Sequence, residues 1–526
     1  MVFAAIELSD AYWRSLQITP DDIEFLYSYL LEKETPLPSR ILAEALIQER
    51  YRSESKRLKA RQQQNGAVYL PEKAYQVGEK IQFPALNWAS GEVTAIREGN
   101  NPELPTLKVM TVAMGDGKFK QFAMNISEHR LNRATATTTD EASDPQIGII
   151  ERFGNEITAK LDDALEENKD LIRIGAEWFP KSLLIEFSIG HLNLVEAVLD
   201  MNGGGPMPVE ALLEQIDIDT DDPAELVQFS MNYALQEDPR FDEVGPYGTV
   251  LWFLNRLEPE NVRERPLELK YQPVDYDRAV LTEDMLFAEQ NLDDELVEPN
   301  PDYSRREPGP EVLITLNYPH WRAGTLPLTA LTRPFFPTAI ETPRVKFTLI
   351  DDGVEISAWV VRPFNYVYGL RDWYEEKELM PGSLIRIKRG KGFGEVLIQP
   401  EKKRTNREWI RTLLAGADGG IVYAMLKQTI TADFNERMAI AIPSTEVLDE
   451  LWQKRNQNPF PMIRVMVSTM KELAKLNPQG QVHAIELYAA VNCVRRCPPG
   501  VVFSALASNP EFTAVGDLYY RLSEDV

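Results

Sequence analysis

The side chains able to do covalent chemistry are few and scattered. Histidines stand at 129, 191, 320 and 483, and none has a Ser, Cys or acidic partner at a recognised catalytic spacing. There is no nucleophile elbow, metalloprotease helix, phosphate loop or dinucleotide glycine fingerprint. Gly203-Gly204-Gly205-Pro206 lacks the following Gly-Lys-Ser/Thr and reads as a helix terminator. Cys493 and Cys497 are one helical turn apart, with Arg495 and Arg496 between them. Two thiolates cannot complete a structural zinc site, and His483 lies too far along the same expected helix to be a third ligand. Buried free thiols are expected, and neither metal nor cofactor is assigned. Catalytic residues can still converge from distant positions, so the absence of motifs lowers the odds of an enzyme without removing them.

Binding chemistry is more visible. Leu384–Gly394 reads into Val396-Leu397-Ile398 as a hairpin with a basic, glycine-rich tip carrying Phe393. Its cations are Arg386, Lys388, Arg389 and Lys391, with Lys402, Lys403 and Arg404 just after. Cations beside glycines let a backbone approach phosphates closely, and an aromatic can stack on a base. The alternative is a solvated turn balancing acidic neighbours. A second basic run, Arg50, Arg52, Lys56 and Arg57, follows the apolar face of a helix and reads either as a phosphate contact or as a solvated face. Residues 258–310 are acidic and proline-spaced, with Asp275, Asp277, Glu283, Asp284, Asp293, Asp294, Glu295 and Glu298. They lack the residue order of a calcium loop. An irregular surface linker is expected there, because its charge density leaves little apolar area to offset ordering entropy. An acidic strip that mimics DNA or holds a basic partner is the sharper alternative.

The elements that must position these residues belong to a long acidic chain. With 526 residues it exceeds one core, and its 44% hydrophobic and 26% charged residues are those of a globular protein. A net charge of −25 prevents non-specific coating of nucleic acid over the whole surface, so any such contact must be local. No apolar run is long enough to span a bilayer, the first residues lack a basic n-region, and two cysteines fit a reducing compartment. A cytoplasmic protein without membrane partners is expected.

Taken in order, Thr19-Pro20-Asp21-Asp22 predicts a helix start, and residues 1–65 predict a helical hairpin, with a truncated relative of the later units as the alternative. Strands and the Gly115-Asp116-Gly117 turn predict a small SH3-like barrel over 66–131. Residues 132–190 read as a Thr/Ala-rich linker and a helix over Ile149–Leu165. Helical patterns over 191–257 end in Asp238-Pro239-Arg240-Phe241…Val244-Gly245 and then Trp252. The acidic linker follows at 258–310, and 311–400 predicts a β-rich pseudobarrel. Residues 401–526 predict a helix over 409–414, strands near 421–425 and 438–442, and a second helical unit. That unit ends in Asn509-Pro510-Glu511-Phe512…Val515-Gly516 and Tyr519-Tyr520. The fold class is therefore α+β multi-domain, with winged-helix-like units alternating with small antiparallel barrel-like domains.

Three helices closed by Asp/Asn-Pro-x-Phe…Val-Gly and an aromatic strand resemble the HARE-HTH winged-helix family, found in the RNA polymerase delta subunit. The likeness covers about 192–257 and 460–524 only. It implies attachment to DNA or to RNA polymerase and the transcription machinery rather than catalysis. Ala224–Gln236, in the place of the recognition helix, departs from a DNA-reading pattern: it has no Lys or Arg and carries Glu225, so protein contact fits it better. The order of pieces in 311–400 is also faintly similar to the B3-type pseudobarrel of DNA-binding proteins. The leading expectation is a non-enzymatic protein binding nucleic acid or transcription machinery. A protein–protein scaffold using acidic surfaces comes second, and a nucleic-acid-processing enzyme third.

Overall fold

The computed structural model describes residues 10–523 apart from 65–66, 84–85, 87–88, 101–106, 116, 128, 130–131, 133–144, 217, 219, 298–308, 341, 391–394, 417–419 and 458–459. The chain divides into two compact units, residues 1–185 with 222–229, and residues 186–221 with 230–526. Both mix helices and antiparallel strands, an α+β multi-domain architecture.

In the first unit, α1 (Asp10–Arg14) leads to α2 (Pro20–Lys33), β1 (Leu37–Pro38) and α3 (Ser39–Gln64). Thr19 caps α2 as its sequence predicts: its N–H and hydroxyl both donate to Asp22 Oδ2, at 2.8 and 2.7 Å. Five strands follow, β2 (Ala67–Val68), β3 (Lys80–Phe83), β4 (Ala89–Glu98), β5 (Lys108–Met114) and β6 (Phe119–Met124). They are neighbours in sequence order, and β3 to β6 form an antiparallel meander. This domain has its own core, built around Tyr69, Tyr75, Ile81, Phe83, Val93, Met110 and Val112. The Asp116 of the expected turn and the linker at 133–144 lie outside the described residues.

The chain then resumes with α4 (Pro145–Glu166), β7 (Leu171–Ile174) and β8 (Glu177–Pro180). Here the expected helical hairpin is corrected. Strand β8 pairs with β7 and, on its other side, with β1, placing Leu37 opposite Trp178. Ile149, Phe153, Ile157, Leu161 and Leu165 of α4 share one core with Leu42, Leu46 and Ile47 of α3. Two amphipathic helices cannot cover each other's apolar stripes fully; a third helix and a strand pair complete the core. Trp178 Nε1 donates to Ser39 Oγ at 3.0 Å and Asp162 Oδ1 at 3.2 Å, tying the three together. The residues at 66–132 are thus an insertion between the second and third helices of a helix–strand–helix–helix–hairpin unit.

The second unit opens with the same order: α5 (Ile189–Met201), α6 (Val209–Leu213), α7 (Ala224–Gln236), β9 (Phe241–Glu243) and β10 (Trp252–Leu254), with Met207 bridged to Trp252. The segment after it carries α8 (Glu260–Arg263) and α9 (Glu283–Leu292). Next come β11 (Glu311–Thr315), α10 (Tyr318–Ala323), β12 (Thr325–Pro327), β13 (Arg344–Asp351), β14 (Val354–Val361), β15 (Tyr366–Tyr368), α11 (Arg371–Glu376), β16 (Leu384–Arg389) and β17 (Val396–Pro400). Their strands form one sheet in the order β11-β16-β17-β13-β14-β15-β12, in which β13 and β17 are parallel. A long hairpin, β18 (Lys402–Ala415) with β19 (Ile421–Ala432), is followed by α12 (Glu446–Gln457). The last unit is α13 (Met462–Ala474), β20 (Val482–His483), α14 (Ala484–Asn492), α15 (Pro499–Ser508), β21 (Phe512–Gly516) and β22 (Tyr519–Leu522), with strand order β20-β22-β21.

One pattern therefore occurs three times. An apolar residue just before the second helix faces an aromatic residue on the last strand: Leu37 with Trp178, Met207 with Trp252, Val482 with Tyr520. Phe241 and Phe512 each open the first strand of their hairpin and are 5% and 7% exposed. Leu171 holds that place in the first unit, where Leu171…Ile174-Gly175 stands for Phe…Val-Gly.

Three further expectations are corrected. Residues 409–414 are strand, not helix, because Trp409 and Ile410 alternate between exposed and buried faces, the period of a half-buried sheet. Residues 438–442 touch β18 through one isolated bridge, Ala441 to Thr412, and form no strand. Over its described residues the acidic stretch is not a surface linker; 298–308, with Glu298, lie outside the described residues. Leu281, Met285 and Ala288 are buried in the same core as α13, α14 and α15, while Val262 and Leu269 join a second cluster. The sparse apolar residues converge on one face and the buried carboxylates have cationic partners, which offsets the ordering cost.

Two outcomes are expected. Phe512→Ala and Phe241→Ala should each cost about 3–5 kcal/mol in urea unfolding. Residues 66–132 expressed alone should unfold cooperatively on heating, since their core is internal.

Candidate nucleic-acid interface

The cations singled out in the sequence are positioned by β16 and by the start of β18, and most already have carboxylate partners. Arg386 Nε donates to Glu401 Oε2 at 2.8 Å and its head also meets Glu311. Lys388 Nζ is 3.0 Å from Glu311 Oε2. Lys388 first, and then Arg386, holds the Glu311 carboxyl below its ordinary range. Lys402 pairs with Asp352 at 3.3 Å. Lys403 pairs with Glu408 at 2.9 Å and lies over the Phe434 ring. Arg389 donates to the Pro334 carbonyl at 3.3 Å and stands over Phe335. Arg404 is exposed. Lys391 and the tip phenylalanine lie outside the described residues. Arg386, Lys388 and Arg389 lie on β16 of the seven-stranded sheet, and Lys402, Lys403 and Arg404 on β18 of the separate β18–β19 hairpin, so the cations are divided between two hairpins, and neighbouring acids neutralise much of their charge.

The basic helix is similarly divided. Arg50 bonds Asp22, which is 6% exposed, and so closes the N-terminal turn of α2 rather than facing outward. Arg52 and Lys56 are exposed on α3. Arg57 lies on the same helix, its side chain outside the described set.

In a winged helix that reads DNA, the third helix enters the groove. None of the three presents free cations here. On α4, Arg152 pairs with Asp10 and Lys160 with Glu156. Helix α7 has neither Lys nor Arg. Helix α15 has none either and is covered: Val501, Val502, Phe503 and Leu506 are buried, and Ser504 Oγ donates to the Asp277 carbonyl at 2.9 Å.

The cover is fixed by a charge network that the sequence did not reveal. Arg496, fully buried, donates to Asp294 Oδ1 and Oδ2 at 2.6 and 2.8 Å and to Glu295 Oε1 at 2.7 Å. Tyr488 Oη donates to the same Asp294, and His320 Nε2 faces Glu295 Oε2 at 3.1 Å. Burial alone would raise the Glu295 carboxyl; Arg496 and His320 overcome it and hold the group well below its ordinary range. Cys493 and Cys497 sit in this core as buried free thiols, with burial pushing Cys497 up to about 12. A thiol so far from ionisation is a poor nucleophile. Among the described residues no group of His, Cys, Asp and Glu could hold a metal ion, and no helix is long and apolar enough to cross a membrane.

A second feature missed from sequence is the outer face of the β18–β19 hairpin. Trp409 is 61% exposed and stands opposite Lys427, whose Nζ is 5.4 Å from the indole centroid. Alternation places Arg407 and Thr429 beside them, and Met425 beyond. Arg411, next on that face, is tied to Glu486 at 3.0 Å. Reading 402–415 and 421–432 with a period of two would have found this face.

Breaking the buried network should be costly. Arg496→Met leaves two buried carboxylates without their cation, and a loss of about 3–5 kcal/mol is expected in urea unfolding. Because the Glu295 pKa is depressed, its contribution is present above about pH 4.3, the unfolded value, and lost as pH falls. Glu295→Gln should therefore lower stability at pH 7 and flatten the acid limb of the stability curve.

Comparison of the chain with family models, with curated proteins and with solved structures gave no match.

Proposed function

We propose that this chain is a non-enzymatic binding protein associated with nucleic acid or the transcription machinery, in which the winged-helix-like units serve protein contact and architecture and any nucleic-acid contact is local. The observation that carries this reading is the distribution of cations. The third helices lack free ones, whereas β16, β18 and β19 gather cations in a chain of net charge −25, those at Arg386, Lys388, Lys402 and Lys403 ion-paired and those at Arg407 and Lys427 exposed. A chain so acidic is attracted to phosphates only where cations outnumber neighbouring carboxylates. The HARE-HTH-like order of helices and hairpin fits the same setting and is part of the proposal.

A scaffold that touches only proteins is the second reading. It is favoured by the ion pairs that occupy Arg386, Lys388, Lys402 and Lys403. The two part company on a DNA or heparin column. The proposed reading expects retention at low salt with a shallow dependence, a log–log slope of about −2 to −3, reflecting few phosphate contacts. Replacing Arg386 and Lys388 by Ala should change that slope by less than about half a unit, since Glu311 and Glu401 already hold those charges. Flow-through of the wild type even at low salt would favour the scaffold.

A further inference from the structure

We infer that the outer face of the β18–β19 hairpin is a binding platform for single-stranded DNA, with Trp409 as the stacking ring and Arg407 and Lys427 as the phosphate contacts. The inference rests on the reading above, that the chain meets nucleic acid locally, and names the place and the kind of strand.

Three observations lead there. Trp409 is a large apolar ring left 61% exposed in the middle of a regular strand, while Ile410 beside it is 3% exposed. Around Trp409 the hairpin thus buries Ile410 and Ile430 on its other face and offers this one, which is covered further along, at Leu413 and Tyr423. The ring is bordered by Lys427 across the ladder and by Arg407 one alternation earlier, both exposed. Arg407, Trp409, Lys427 and Thr429 include no carboxylate, and the acid along this face, Glu486, is taken up by Arg411, unlike the β16 cluster, where Glu311, Glu401 and Asp352 take up the charge. An acidic chain that leaves its cations unopposed around one aromatic ring has a surface complementary to a stacked, negatively charged ligand.

The geometry selects a single strand over a duplex. An indole lying on a sheet can stack only on a base whose face is free, and bases within a duplex are covered by their neighbours. A duplex reader needs an element that enters a groove, and the hairpin face is broad, with a second strand alongside. Successive outward residues on one strand are about 6.8 Å apart, so Arg407, Trp409 and Arg411 span about 14 Å, room for a short run of nucleotides. Stacking and phosphate contact act on any single strand, and beside the ring Thr429 is the one outward side chain with an oxygen that could accept from a 2′-hydroxyl, so the face carries little that would reward RNA over DNA.

The test uses the full chain and a fluorescein-labelled dT oligomer, with anisotropy read over a range of salt. The wild type should bind the oligomer more tightly than a duplex of equal length, and no less tightly than a U oligomer. Trp409→Ala should weaken binding about five- to a hundredfold, and Trp409→Phe should restore most of it, because stacking needs an aromatic face and not the indole N–H. The double variant Arg407→Ala, Lys427→Ala should flatten the log–log salt slope by about 1.4, two contacts at the single-strand value. Urea midpoints of all variants should match the wild type, since these side chains are exposed; the double variant decides the matter if Trp409→Ala disturbs the hairpin. Binding that survives in every variant would overturn the assignment of the face but leave the reading of local nucleic-acid contact intact. Tighter binding of the duplex or of the U oligomer would overturn the choice of ligand. A wild type that binds no oligomer at low salt would overturn both the platform and the reading beneath it.

Discussion

Arg496 carries a permanent charge into a site with no exposure to water, and much of the second unit is arranged around meeting that cost. A guanidinium so placed is tolerated only when its donors are satisfied by acceptors of opposite charge. Those acceptors, Asp294 and Glu295, come from two hundred residues earlier, in a stretch whose composition alone reads as a linker. Holding them there holds α9 as well, and α9 with its neighbours lies over α15. The helix that would read a groove in a winged helix is thereby made part of the interior.

Charge elsewhere follows the same logic of local pairing. Arg50 with Asp22, Arg386 with Glu311 and Glu401, Lys403 with Glu408 and Arg322 with Asp449 each neutralise a cation with an acid that the fold brings beside it, in the case of Asp22, Glu311 and Asp449 from another element. In an acidic protein there are carboxylates enough to do this almost everywhere. What distinguishes a binding surface is then not where cations are dense in the sequence but where the fold fails to give them a partner, which depends on strand register and cannot be read from composition.

That difference explains what was legible beforehand. Helix starts with strong capping chemistry, such as Thr19-Pro20-Asp21-Asp22, and the paired endings at Phe241 and Phe512 were readable, because both are encoded within a few adjacent residues. The hairpin of the first unit was not, because Leu171…Ile174-Gly175 replaces the aromatic with Leu and a whole domain separates it from its helices. The acidic stretch was misread because local charge predicts exposure, while the partner that buries it lies in another part of the chain. In β18 the run Trp409–Leu414 suggested a helix by apolar content, and only its period of two distinguishes it. For the cationic cluster, sequence marked the residues but neither their division between β16 and the β18–β19 hairpin nor the acids that oppose them.

The domain lodged between α3 and α4 also sets the order in which the first unit can be made. As the chain leaves the ribosome, α2, β1 and α3 emerge long before α4 and β8, so Leu37 must wait for Trp178 and the apolar face of α3 stays open meanwhile. The five-stranded insertion has a complete core of its own and can fold during that wait. Once folded, it replaces a long flexible loop by a compact body, and the chain entropy lost in bringing α4 back to α3 falls accordingly. The inserted domain then acts as a folding intermediary for its host: a delay in its own collapse would prolong the time that an incomplete helical pair is available to chaperones or to other unfinished chains.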